Sequence, residues 1–147
     1  MSSSRFAPVV SAVALVSKVI NNAALAGFGL GAVWYTVLSK PWLHAMGKTA
    51  AELKQTTGPS KVMPFAISIV ALLIMAWMLA GLLGHLGDVT IRGGVISGAF
   101  VWLGFVITTM GVNHAFGGAK PMLTLIDGGY WLAVLLIQGA VIGAFGV

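Results

Sequence analysis

The sequence predicts an all-α fold: an integral membrane bundle of four transmembrane helices with a short interfacial helix in the first loop. Hydrophobic residues make up 59% of the 147 residues, charged residues make up 7%, and the mean hydropathy is +1.01. Soluble domains carry roughly a quarter charged residues, so a soluble core does not account for this composition. Four apolar stretches reach the roughly 20 residues that a helix needs to cross a bilayer. They cover about residues 19–38, 64–86, 93–116 and 128–147, and we interpret residues 1–147 as a single membrane domain.

Residues 1–18 precede the first span, and the sequence leaves their placement open. They form either an extension on the membrane surface or the outer part of the first helix. Together with Ala24-Leu25-Ala26 they resemble a secretory signal followed by a cleavage site. Lys18 interrupts that pattern, so we expect the segment to be retained. A helix from Phe6 to Leu38 would be about 50 Å long, which requires a tilt or a break near Ser17.

The longest polar stretch of the chain is residues 39–61, which form the first loop. Thr49 and Glu52 have the spacing of a capping box, and this predicts the short interfacial helix. Pro64 suits the first turn of the second span. Trp42 is expected to lie among lipid headgroups, as tryptophan often does at membrane interfaces.

The basic residues predict the orientation of the chain. The first loop carries four lysines, and Lys120 lies on the same side of a four-span protein, which makes five cations against three on the other side: Arg5, Lys18 and Arg92. Cytoplasmic loops carry an excess of lysine and arginine. We therefore expect the lysine-rich side to be cytoplasmic and both termini to lie on the non-cytoplasmic side.

The net charge of +5 and the pI near 10.0 are also typical of proteins that bind nucleic acid. We reject that interpretation because the cations are spread over loops and chain ends, where they meet anionic lipid headgroups. Membrane lipids are therefore expected partners, and nucleic acid is not. The chain has no cysteine, which excludes disulfides and thiolate metal sites. Its few histidines and carboxylates do not make a convincing metal site, and no cofactor is expected.

Small residues recur four positions apart in every predicted span. Lipid tails are as apolar as leucine, so close backbone approach through small residues helps to hold membrane helices together. This spacing predicts helix packing at Gly27, Gly31, Gly94, Gly98, Gly139 and Gly143, and at Ala76, Ala80 and Gly84 in the second span. Small residues on further faces favour a homo-oligomer or a larger membrane complex. Alternatively, glycine is simply frequent in membrane helices.

Polar and aromatic residues are expected to meet at one membrane face. Adjacent spans are antiparallel, so the end of the first span, the end of the third and the start of the fourth lie at similar depth. We call the residues found there the polar cluster: Trp34, Tyr35, Asn113, His114, Asp127 and Tyr130, with Trp131 beside them. Ionisable side chains at membrane depth are costly and are therefore candidates for function.

The members of the polar cluster also have structural interpretations. Asp127 precedes the predicted fourth span and could cap its first turn. Alternatively, Asp127 and His114 could form a proton-handling couple. Trp102, Thr109 and Asn113 share one face of the predicted third helix, which could tie that helix to a neighbour or bind a ligand.

Several separated motifs resemble one known family. They are Gly31-Ala-Val-Trp-Tyr-Thr36, Lys40-Pro-Trp42, Trp102-Leu-Gly-Phe-Val106, Asn113 and Ile126-Asp-Gly-Gly-Tyr130-Trp131. From about Asn21 to the C-terminus, the chain is similar to the bacterial domain-of-unknown-function family 1761. The resemblance implies a small four-span protein of a bacterial cytoplasmic (inner) membrane. It supplies no activity, substrate or catalytic residue.

Three functions remain open from the sequence. No familiar catalytic motif is present, so an enzyme is not expected. The first function is a structural or accessory membrane protein that acts as a homo-oligomer or as a subunit of a larger membrane assembly. The second is a small oligomeric transporter or channel that uses the polar cluster and Gln138, although a hydrogen bond to another helix is the expected role of Gln138. The third is a membrane enzyme or quinone-binding protein, but an aromatic belt explains its aromatic residues with fewer assumptions.

Overall fold

The structure is a computed structural model that describes residues 6–55 and 57–146. Residues 1–5, which include Arg5, lie outside the described residues, so the predicted N-terminal segment is described only from residue 6. The described residues form seven α-helices and one π-helical turn: α1 (Phe6–Val37), α2 (Ser39–Met46), α3 (Ala50–Gln55), α4 (Pro59–Leu86), α5 (Ile91–Val101), the π turn (Trp102–Val106), α6 (Ile107–Phe116) and α7 (Pro121–Phe145).

Four helical spans are long and apolar enough to cross a membrane, and they confirm the predicted all-α bundle. They are α1 from Pro8, α4, the continuous unit of α5 to α6, and α7. The second and the fourth begin earlier than predicted because each starts at a proline, α4 at Pro59 and α7 at Pro121. Proline favours the first turn of a helix, where an N–H would lack a helical acceptor. Pro64, which we predicted for the first turn of the second span, lies inside α4 instead.

The first helix is continuous over 32 residues. Residues 6–18 therefore form its outer part and not a separate surface segment. Of the two alternatives, a tilt or a break near Ser17, the break is absent. The Ser17 hydroxyl donates to the Val13 carbonyl at 2.9 Å, within the same helix. Val19 belongs to the same buried cluster as Leu83, near the end of α4. The preceding part of α1 thus extends beyond the packed end of the bundle.

The first loop contains two short helices where one was predicted. The predicted capping box begins α3: the Thr49 N–H donates to the Glu52 carboxylate at 2.6 Å, and the Glu52 N–H donates to Thr49 Oγ1 at 3.3 Å. Hydrogen bonding to Thr49 lowers the pKa of Glu52 below its ordinary value. The other helix, α2, ends at Gly47, whose positive φ of 67° closes the last turn. It packs against α7.

The central helix of the bundle is α7. It packs against α5, α1 and α4. In its most apolar stretch 44% of the residues are buried, against 11% in the third span, so the third span lies at the periphery. Two buried clusters surround α7. One includes Leu83, Leu135 and Ile142, at the end of the bundle where α4 ends. The other includes Leu72 and Val134 and lies nearer to α2.

Close helix contacts occur at the glycines of the first, third and fourth spans that were predicted to pack. The prediction is wrong for Gly84 of the second span, which is exposed and has nothing within 4 Å of its Cβ position. Gly94 of α5 and Gly139 of α7 face each other so closely that a Cβ on either would overlap the backbone of the other. A Cβ on Gly98 would lie 2.6 Å from the carbonyl oxygen of Leu135. The two glycines of α1 face side chains of α4 and α7 instead. The α5–α7 contact is therefore a backbone-to-backbone contact that glycine makes possible.

A π-helical turn at Trp102–Val106 interrupts the third span. Its closing hydrogen bond reaches back five residues instead of four, so the turn contains one extra residue. One extra residue rotates the rest of the helix by about 100°. As a result His114 is half-buried, whereas Thr109 and Asn113 are exposed. The prediction that Trp102, Thr109 and Asn113 share one packed face is therefore wrong.

Candidate functional site

The candidate site surrounds Asp127, where α1, α2 and α7 meet. Tyr35, near the end of α1, donates its hydroxyl to Asp127 Oδ1 at 2.9 Å. Trp42 of α2 donates its indole N–H to the same oxygen at 3.1 Å. All three side chains are half-buried. A carboxylate at this depth is costly unless it is hydrogen-bonded, and Tyr35 and Trp42 supply the donors.

Asp127 does not cap the fourth span, and that prediction is wrong. The helix begins at Pro121, and Lys120, in an extended conformation, occupies the N-cap position. Asp127 is therefore the seventh residue of α7, too far along to accept from the N–H groups of the first turn. Hydropathy places the start too late because the charge of Asp127 lowers the local average. The carboxylate connects α7 to α1 and α2 instead.

Four aromatic rings form a row beside this carboxylate. The ring centroids of Trp42 and Tyr35 are 5.0 Å apart, those of Tyr35 and Tyr130 are 5.2 Å apart, and those of Tyr130 and Trp131 are 4.9 Å apart. Interplanar angles of 55–62° are within the tilted and edge-to-face range that aromatic pairs prefer. Tyr130 is only 6% exposed. Neighbouring rings at these distances are in contact and leave no room for a ligand between them.

Two further tryptophans donate to the backbone of α7 on either side of Asp127 in sequence. Trp34 of α1 donates its indole N–H to the Ile126 carbonyl at 3.1 Å. Trp102, at the start of the π turn, donates to the Gly128 carbonyl at 2.8 Å. A carbonyl oxygen has two lone pairs, so it can accept these bonds in addition to a helical one. Two helices, α1 and α2, and the π turn therefore fix residues 126–128.

His114 does not pair with Asp127 as one hypothesis proposed. Its Nδ1 lies 2.8 Å from Thr124 Oγ1, about one helical turn before Asp127. Asn113 is exposed, so it does not tie its helix to another helix of the bundle. The structure thus leaves His114 at the edge of the polar cluster and Asn113 outside it, and brings together Trp34, Tyr35, Asp127 and Tyr130.

Trp42 belongs to the candidate site, although the sequence did not predict it there. We expected it among lipid headgroups. Instead, its indole N–H donates a hydrogen bond to Asp127, and its ring packs against the ring of Tyr35. The sequence holds one signal for this docking, because Trp42, Ala45 and Met46 are spaced as one face of a helix, and Ala45 is buried. That signal is short, since α2 has only 8 residues.

Gln138 is fully buried in the middle of the bundle. Its Nε2 donates to the Leu72 carbonyl of α4 at 3.0 Å, which confirms the predicted hydrogen bond to another helix. Its Oε1 is the one buried side-chain oxygen or nitrogen of the described residues that has no hydrogen-bond partner. Leaving a buried acceptor unpaired costs about 1–3 kcal/mol.

The site as a whole connects helices. The donors to Asp127 come from neutral side chains, and among residues 6–55 and 57–146 no three His, Cys, Asp or Glu side chains are placed to hold a metal ion. Hydrogen bonds from α1, α2 and the π turn all end within one turn of α7. This arrangement fixes the relative positions of the spans at one end of the bundle.

Comparison with known proteins identifies a family. No curated protein and no solved structure matches the chain. A family model described as "Protein of unknown function (DUF1761)" matches residues 19–143. The match starts at Val19, the first buried residue of α1, and it includes all of the polar cluster while leaving out the outer part of α1. The chain therefore belongs to the DUF1761 family, as its sequence motifs predicted.

Proposed function

We propose that this protein is a structural or accessory protein of a bacterial cytoplasmic membrane, without catalytic activity, and that it acts as a homo-oligomer. A subunit of a larger membrane assembly is the second form of the same role. One observation carries the proposal. The inner side of the third span is closed by backbone contacts with α7. Its outer side carries Gly104, Thr109 and Asn113 among large apolar side chains, and no other described residue covers them.

The polar groups of the interior support a packing role. The hydroxyl of Tyr35 and the indole of Trp42 both end on Asp127, and the indoles of Trp34 and Trp102 end on carbonyls of α7. Each bond joins two segments of the same chain. Such bonds between membrane helices are a common use of polar side chains.

The outer side of the third span suits a second copy of the chain. Gly104 is exposed, and nothing lies within 4 Å of the place where its Cβ would be. Thr109 and Asn113 are exposed further along the same span, and Phe105 beside them is 72% exposed. Lipid tails offer no hydrogen-bond partner to an amide, so Asn113 gains by bonding to a second copy. A two-fold axis would bring identical patches together.

The test is the oligomeric state of the full chain in a bilayer. Single-molecule photobleaching in vesicles should show dimers or larger oligomers at high protein-to-lipid ratios. Asn113→Leu should raise the dissociation constant about 3- to 30-fold, because hydrogen bonds between membrane helices contribute roughly 0.6–2 kcal/mol. Gly29→Leu is the matched control, since Gly29 is exposed in α1 and has nothing within 4 Å of its Cβ position. A wild-type monomer at every ratio would contradict the homo-oligomer.

We also infer that the lysine-rich end of the bundle faces the cytoplasm. The Lys120 ammonium donates to the His44 carbonyl at 2.9 Å, so the first loop and the α6–α7 turn lie at the same end. The excess of lysine in cytoplasmic loops supports the orientation. Because the chain has no cysteine, single cysteines at Lys54 and Asp88 can report each end separately. In intact cells an impermeant maleimide should label only Asp88→Cys, and the reverse result would overturn the orientation.

A small oligomeric transporter or channel is the second candidate function. The observation that favours it is the unpaired Oε1 of Gln138, which could accept a hydrogen bond from a polar solute in the middle of the bundle. If this function holds, proteoliposomes should show solute or proton flux that Gln138→Leu or Asp127→Asn reduces. Trp77→Phe, at an exposed position of α4, should leave the flux unchanged. Flux equal to that of protein-free vesicles would remove this candidate.

A further inference from the structure

A cleft lies at the lysine-rich end, between the end of α2 and the turn that joins α6 to α7. Its volume is about 370 Å³, within the range of small-ligand sites. The two charged residues that line it are Lys48 and Lys120. The polar cluster and the outer side of the third span are separate from it.

Part of the cleft wall is glycine backbone, which carries no side chain. Gly47, Gly117 and Gly118 line it, and nothing lies within 4 Å of the place where a Cβ on Gly47 or Gly118 would be. Gly47 and Gly118 both have a positive φ, 67° and 66°, so other residues are disfavoured there. The glycines of these turns bring no side chain into the cleft, so a ligand can approach their backbone closely.

No acidic residue lines the cleft, although Glu52 lies near enough to Lys48 for their charges to attract each other. The Lys120 ammonium donates to the His44 carbonyl at 2.9 Å, so it reaches across from the α7 side to the end of α2. An ammonium has three N–H donors, and two of them remain for a ligand. All three acids of the chain are described, and none of them lines the cleft: Glu52 bonds Thr49, Asp88 bonds Thr90, and Asp127 bonds Tyr35 and Trp42. Lys120 bonds a neutral carbonyl and not an acid, so an anion in the cleft would be attracted to it and to the neighbouring Lys48.

The position of the cleft favours one source of the anion. It lies beyond the end of the third span at Phe116 and beside the start of the fourth at Pro121, which is where a bilayer places its headgroups. Its lining also includes the half-buried apolar side chains of Met46 and Leu123, which suit the glycerol and upper acyl region of a lipid. Basic pockets between membrane helices are known to bind anionic headgroups.

We infer that this cleft binds the phosphate-bearing headgroup of an anionic phospholipid, with Lys48 and Lys120 as the groups that contact the phosphate. The remaining lysines of this end attract anionic lipid without forming the site. The inference is independent of the oligomeric state and of the proposed function.

The test compares two charge-matched double variants of the full chain. Lys48→Gln/Lys120→Gln removes the cations of the cleft, and Lys54→Gln/Lys61→Gln removes two cations of the same end that do not line it. Native mass spectrometry in mild detergent, titrated with phosphatidylglycerol, should show about tenfold weaker lipid binding for the first variant. The second should bind as the wild type does. Equal losses in both variants, or no loss in either, would overturn the site.

Two further measurements separate loss of lipid binding from loss of folding, and binding of an anionic lipid from binding of other phosphate compounds. Lys48→Gln alone spares the bond between Lys120 and His44, so its folding, checked by circular dichroism, should be that of the wild type, while its lipid binding should fall by about threefold or more. Titration with phosphatidylcholine should show no saturable binding. Competition by inorganic phosphate or glycerol phosphate at equal concentration would show that a soluble phosphate is the ligand and would overturn the assignment to lipid.

Discussion

Replacing Gly139 with alanine tests the close contact between the third and fourth spans. Gly139 faces Gly94, and an added Cβ would overlap the backbone of α5. A flexible side chain can rotate away from such an overlap, but a helix backbone cannot. The two helices must therefore move apart, and the neighbouring contact of Gly98 with the Leu135 carbonyl loosens with them.

The expected loss of stability combines two opposing effects. Overpacking a close contact typically costs about 1–3 kcal/mol. Alanine recovers up to about 1 kcal/mol because it favours the helix more than glycine does. Gly139→Ala should therefore destabilise the folded protein by about 1–2 kcal/mol. Gly29→Ala, at a glycine with nothing within 4 Å of its Cβ position, should be neutral or stabilising by up to about 1 kcal/mol.

The free energy of unfolding can be measured by titrating the protein in mixed micelles with a denaturing detergent and following tryptophan fluorescence. Both variants make the same chemical change in a helix, so their difference reports the contact alone. If Gly139→Ala proved as stable as Gly29→Ala, the backbone contact between α5 and α7 would not exist in solution. Close glycine packing would then not hold the third and fourth spans together.

Three other predictions concern side-chain hydrogen bonds. Tyr35→Phe and Asp127→Ala should each lower the free energy of unfolding by about 1–3 kcal/mol. The double variant should lose less than the sum of the two, because both changes remove the same hydrogen bond. Additive losses in the unfolding assay would contradict this coupling. Trp102→Phe should cost about 1 kcal/mol in that assay, and Trp77→Phe, at an exposed position, should cost nothing measurable. The lowered pKa of Glu52 means that its capping box stabilises α3 above the ordinary pKa of a glutamate and that this stabilisation is lost as the pH falls through the lowered value. Amide hydrogen exchange in α3 should therefore accelerate on acidification in the wild type but not in Glu52→Gln.

The spans and their glycine contacts could be predicted because their causes are repetitive and local. Bilayer thickness sets the length of each apolar stretch, and close packing sets the four-residue spacing of residues such as Gly94 and Gly98. The proximity of Tyr35 and Asp127 followed from antiparallel topology alone. The starts of α4 and α7 did not follow, because hydropathy averages over several residues and Pro59 and Pro121 act at single positions.

The orientation of the third span could not be predicted because one turn changes it. The π turn at Trp102–Val106 adds a residue, and the sequence WLGFV carries no proline or other feature that announces it. Every residue after it is displaced by about 100° around the helix axis. Asn113 consequently faces outward, where the proposed interface now uses it, and His114 faces Thr124.

The docking of α2 depends on residues that are distant in the sequence. A helix of 8 residues is too short to be stable alone in water, so contacts with the bundle must hold it in place. Two of them are the bond from Trp42 to Asp127, 85 residues away, and the bond from Lys120 to His44, 76 residues away. Local patterns in the first loop carry no trace of either partner.

The same two bonds place α2 between the polar cluster and the lysine-lined cleft, so a change at Asp127 that frees Trp42 also removes one of the supports of the cleft wall. The Asp127 carboxylate and the proposed lipid site are therefore parts of one structural unit. The short helix α2 lies between them and connects them.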